Sequence, residues 1–135
     1  METQNNISGS NVNIEQKIWQ HELEIIIQEN DFLLNLLVSL QNDHLFSTRH
    51  EEKIIIFFNY FQYFTQLIKH LKENLIIIEK EGLIEEKNIS NSKIYAFREE
   101  INNLEKKFQT FKDNFKSFIF NINNHNRIHQ TKVLC

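Results

Sequence analysis

Four histidines, His44, His50, His125 and His129, are the residues whose type and spacing best suit chemistry in this chain. Neutral imidazole binds Zn, Cu or Ni, and the four-residue step from His125 to His129 sets both rings on one face of a helix. Asp43 and Glu51, flanking the first pair, could complete such a shell. A divalent transition-metal site is therefore expected wherever folding brings residues 43–51 and 125–129 together. Other chemistry finds less material. Glycine occurs only at Gly9 and Gly82, which leaves no phosphate-cradling loop. His70-Leu71-Lys72-Glu73 reverses the order in which carboxylate-bridged di-iron bundles use Glu and His. The lone Cys135 has no disulfide partner, which fits a reducing, cytoplasmic compartment. No catalytic residue and no other cofactor is expected.

The elements that must position these histidines are helices. With no proline and two glycines in 135 residues, the chain lacks the turn residues of a sandwich, barrel or wound sheet. From Ile54 the apolar residues recur three and four apart: Ile54, Phe57, Phe61, Phe64, Ile68, Leu71, Leu75, Ile78. That 3.5-residue period keeps one stripe facing a partner along a coiled-coil-like helix. A second seam runs Ile94, Phe97, Ile101, Leu104, Phe108, Phe111, Phe115, Phe118, Ile122, and a third Trp19, Leu23, Ile26, Asn30, Leu33, Leu37, Leu40. Asn30 is the polar intruder, a residue type that fixes register or partner number on such a seam.

Capping signals mark the ends. Asn13 opens the first helix, Thr48 with Glu51 forms a capping box for the second, and Gly82 stops it. The expected fold is all-α, an up-down-up antiparallel bundle of three helices near residues 14–42, 49–81 and 90–125. Residues 1–13 read as a disordered lead-in and 126–135 as a frayed tail. Setting Ile94 level with Ile78 brings Ile122 level with His50, and His125 and His129 stand one to two turns beyond, over the turn that carries His44. All four histidines then share one pole.

The residues around these seams resemble a family of small bacterial all-helical proteins of uncharacterised activity. The likeness rests on Phe97, Arg98, Glu99, Leu104, Glu105, Lys106, Phe108, Phe115 and Phe118 in the third helix. Phe61, Gln62, Phe64, Ile68, Leu71 and Lys72 in the second, and Trp19, Glu22 and Leu23 in the first, extend it from about residue 18 to residue 120. The resemblance implies the same three-helix fold and brings no activity with it.

Charge and surplus hydrocarbon speak to partners. The 15 Lys and Arg are interspersed with 18 Asp and Glu, so no basic stripe exists to displace counterions from nucleic acid. The longest apolar run, Ile54 to Phe58, is far short of the ~18 residues of a membrane span. Beyond the seams, however, the first helix carries Ile25, Ile27, Phe32, Leu34 and Leu36, and the second Ile56, Tyr60, Tyr63, Leu67 and Ile77. The polar third helix is too narrow to cover them all, and large exposed apolar patches mark contact sites. The leading expectation is an interaction or scaffolding module that self-associates as a homo-oligomer through helices one and two. Ile25, Phe32, Ile56, Tyr60, Tyr63, Leu67 and Ile77 are its candidate interface. A metal-binding or sensor protein using the histidine pole is the alternative.

Overall fold

The computed structural model describes the backbone of residues 2–85 and 91–134 and the side chains of residues 14–81 and 92–122. It contains α1 (Glu2–Asn42), α2 (Glu51–Glu85) and α3 (Asn91–Leu134), with a short 3-10 turn over Thr48–His50 leading into α2. At about 1.5 Å per residue the helices are about 50–65 Å long. They run up, down and up. Lys72 Nζ of α2 lies 2.8 Å from Glu24 of α1, and Gln20 donates to Glu79 further along the same antiparallel pair. Phe64 of α2 meets Phe108 of α3 at 5.3 Å between ring centroids, and Phe57 meets Phe115 at 5.2 Å. This is the register that sets Ile78 level with Ile94.

The three apolar seams form the core. Trp19, Leu23, Ile26, Leu33 and Leu37 of α1 pack against Ile54, Phe61, Phe64, Ile68, Leu71, Leu75 and Ile78 of α2. Every seam residue of α3 from Ile94 to Ile122 is buried beside them. Only Phe57 and Leu40 fall short of full burial, while Gln16 extends the α1 stripe by one step. Phenyl rings dominate the α2–α3 seam: Phe61 stands edge-on to Phe111 at 4.8 Å and to Phe115 at 5.3 Å. Edge-to-face contacts place positive ring edges on negative faces, which adds directionality to plain burial.

Asn30 is 1% exposed on this seam. Its Nδ2 donates to Thr65 Oγ1 at 3.1 Å and reaches the Phe61 carbonyl at 3.5 Å, while Oδ1 has no partner. A buried amide that finds its acceptors at one height of the neighbouring helix penalises any slip of α1 along α2.

Helix ends differ from the sequence reading in instructive ways. α1 is helical from Glu2, ahead of the expected start at Asn13, and α3 continues to Leu134. α2 runs through Gly82 to Glu85, with no glycine at positive φ. Glycine permits a left-handed stop without imposing one, and between good helix formers it stays helical at a cost of about 1 kcal/mol. The entry to α2 is capped one residue earlier than expected. Ser47, not Thr48, is the N-cap, and its N–H donates to His50 Nδ1 at 3.2 Å, the role foreseen for the Glu51 carboxylate. α1 ends at Asn42 by a Schellman motif: the Leu45 N–H donates to the Leu40 carbonyl at 3.2 Å and the His44 N–H to that of Gln41 at 3.1 Å. His44 supplies the left-handed residue this motif requires, at φ 56°.

Candidate functional site

Labelling each seam a and d of a heptad leaves e and g on its two edges, where helices meet side to side. The e edges of α1 and α2 face each other, as Gln20 and Glu79 show. The g edge of α1 meets the e edge of α3 in a ladder with a rung every seven residues. Glu15 accepts a forked pair of bonds from Arg98, at 2.6 Å from Nε and 2.7 Å from Nη2. Glu29 pairs with Lys112 at 2.6 Å, and the next positions, Leu36 and Ile119, pack against the core. Between the two ion pairs stands Glu22, opposite Glu105. Burial and the neighbouring Glu105 carboxyl, to which it is hydrogen-bonded, push the Glu22 carboxyl up from 4.5 to about 7. Two carboxylates cannot both accept, so one keeps a proton to bond the other.

The third edge, where the g positions of α2 and α3 meet, is closed at one end and open at the other. Lys93 Nζ lies 2.8 Å from Glu81 at the closed end. Toward the other end Lys53, Tyr60, Lys107, Asn114 and Asn121 are all exposed, and the helices leave a groove of about 790 Å³. Its floor is the outer side of Phe57, Phe64, Phe111 and Phe118. The α2 wall is apolar, with Ile56, Tyr60 and Tyr63 each about half exposed. These residues and Leu67 step by four, three and four, so α2 carries a second stripe beside its buried one. The α3 wall is polar, formed by Thr110, Asn114 and Ser117. Lys53 stands at one end and Lys106 and Lys107 at the other, and no carboxylate lines the groove. Lys53 Nζ sits 5.8 Å above the Phe118 ring, a cation–π contact that leaves an ammonium at the groove mouth.

The candidate interface of the sequence reading is thus divided rather than continuous across α1 and α2. Ile56, Tyr60 and Tyr63 line the α2–α3 groove, and Leu67, on the same stripe, packs against the core. Ile77 is exposed farther along α2. Ile25 and Phe32 border a shallower groove of about 350 Å³ between α1 and α3, beside Lys112 and Lys116. Heptad spacing explains the split, because Ile25 and Phe32 lie on the α1 edge nearest α3. The three lysines of the larger groove and the Glu22–Glu105 rung escaped the sequence reading. The signal for both was charge type at seven-residue spacing on the seam edges.

Three of the histidines take local structural parts, His44, His50 and His70. His44 is the left-handed residue that ends α1. His50 caps α2 through Nδ1 and stacks edge-on against Phe118 at 5.8 Å and Phe46 at 6.3 Å. His70 pairs with Asn74 at 3.2 Å on the surface of α2. His125 and His129 belong to the helical stretch of α3, but their side chains lie outside the described residues. Among the described residues no three His, Cys, Asp or Glu are grouped to hold a metal ion. No described helix is long and apolar enough to cross a membrane. No family model, curated protein or solved structure matches the chain.

Proposed function

We propose that this chain is a non-enzymatic helical interaction module whose contact surface is the second stripe of α2, where it borders α3. The observation that carries this reading is a half-exposed run of Ile56, Tyr60 and Tyr63 above a floor of phenyl rings, on a helix whose other stripe already serves the core. Hydrocarbon and phenol held in water on a folded scaffold stabilise nothing until another surface covers them. Aromatic residues are enriched at recognition surfaces, whose rims are polar and solvent-accessible.

The test separates contact residues from fold residues. Ile56→Glu combined with Tyr63→Glu is expected to leave helix content unchanged and to shift unfolding free energy by less than about 1 kcal/mol, as surface changes do. Chemical denaturation followed by circular dichroism measures this. A loss of more than about 2 kcal/mol would show that the stripe is needed for folding, and the reading would fall.

A further inference from the structure

We propose that the α2–α3 groove receives an acidic amphipathic helix of about four turns from a partner protein. This rests on the reading of the α2 stripe as a contact surface and goes further by naming what covers it. Three features select the occupant. The first is length. The groove spans Lys53 to Phe64 on α2 and Lys106 to Asn121 on α3, which at about 1.5 Å per residue is about 20 Å, or about 14 residues of helix. The second is shape: the slot runs parallel to both helices and would complete a four-helix arrangement, with an apolar wall on one side and a polar wall on the other. An amphipathic helix matches both walls at once, because its apolar stripe settles on Tyr60, Tyr63 and the rings. Its polar flank then meets Thr110, Asn114 and Ser117.

The third feature is charge. Lysines occupy both ends of the groove, and no carboxylate lines it, in a chain whose net charge is −3. Lys106 and Lys107 have no ion-pair partner among the described residues, unlike Lys72, Lys93 and Lys112. Ammonium groups at both mouths of an apolar slot favour carboxylates near both ends of the incoming helix. A second copy suits this groove poorly. Two-fold pairing of like grooves would bring the Lys53 end of one against the Lys107 end of the other, like charge against like. A lipid chain suits it poorly too, since the α3 wall presents hydroxyl and amide groups that an acyl chain leaves without partners.

The experiment uses the full chain and three synthetic 18-residue helices with one leucine stripe and flanks of Glu, Gln or Lys. Binding is read by fluorescence anisotropy at low and high salt. The Glu-flanked peptide is expected to bind in the micromolar range, at least about tenfold tighter than the Lys-flanked one, and to weaken as salt screens the ends. Lys53→Glu with Lys107→Glu should lower its affinity by about tenfold or more. Ile56→Glu with Tyr63→Glu should abolish binding of every peptide. Equal binding of all three would overturn the acidic partner while leaving the contact surface standing. Absence of binding by any of them would overturn both. Two other occupants have their own arms. Sedimentation of the chain with phosphatidylglycerol vesicles, dependent on the same lysines, would replace the helix with a lipid surface. A dimer by light scattering that Ile56→Glu with Tyr63→Glu dissolves would replace it with a second copy.

Discussion

The Glu22–Glu105 rung makes the bundle less stable as the solution becomes more basic, and a single amide substitution isolates the effect. In the unfolded chain Glu22 ionises near 4.5, whereas in the bundle it holds its proton to about 7. Between those values the folded chain binds more protons than the unfolded one, so stability falls as pH rises through the window. It is fully present below about 4.5 and lost above about 7. Complete desolvation would make this worth about 3 kcal/mol, at about 1.4 kcal/mol per tenfold step in acidity. Glu22 is half-buried at the bundle edge, and screening by water reduces the figure to about 1 kcal/mol. Glu22→Gln imitates the protonated acid and can still donate to Glu105. Urea unfolding of both proteins should therefore coincide near about pH 5 and separate by about 1 kcal/mol in favour of the variant near about pH 8. Glu29→Gln, one rung along, removes the anion that pairs with Lys112. It should destabilise by up to about 1 kcal/mol, the opposite sign for the same chemical change. A Glu22→Gln difference that stays flat with pH, or a variant weaker than the parent near about pH 8, would refute the shared proton.

Three further expectations follow from single residues. His44→Gly should stabilise by about 0.5–1 kcal/mol in denaturant titrations, because φ 56° crowds a Cβ that glycine lacks. A loss instead would give the imidazole a task beyond ending α1. Thr65→Val removes the acceptor 3.1 Å from Asn30 Nδ2 and should cost about 1–2 kcal/mol. Adding Asn30→Leu should recover most of that, a coupling that a double-mutant cycle measures directly. Phe61→Ala should cost about 3–5 kcal/mol and its neighbour Tyr60→Ala less than about 1 kcal/mol, since Phe61 is 0% exposed and Tyr60 49%. Similar losses at the two positions would contradict the division of α2 into a core stripe and an exposed stripe.

The seams were legible in the sequence because burial imposes a period, and a period survives in one dimension. Residue type alone marked Ile54 to Ile78 and Ile94 to Ile122 as inward-facing, and setting Ile94 level with Ile78 implies the register in which Phe64 meets Phe108. Asn30 stood out because a polar residue on such a seam needs a partner of its own, and the structure supplies Thr65. Local capping was harder to read. Ser47 and Thr48 can each begin a helix, and an imidazole three residues on accepts the same bond as a carboxylate, so the cap slipped by one position and drew His50 into it.

What the period does not carry is which edge meets which neighbour. That depends on the direction in which the chain turns from α1 into α2. Turning one way sets Glu15, Glu22 and Glu29 against α3; turning the other would set them against α2. In the observed arrangement they face Arg98, Glu105 and Lys112, so two rungs attract and the middle one must share a proton. The same choice leaves the g edges of α2 and α3 facing each other with Tyr60 on one side and Asn114 on the other, a pair that neither buries nor bonds. The surplus apolar residues of α2 stood out in the sequence, but the Lys53 that accompanies them and the Lys and Asn of the α3 edge read as solvated residues. Only when two such edges are set side by side do three lysines and an apolar wall enclose one groove, and it is this juxtaposition, absent from either helix alone, that makes up the proposed contact surface.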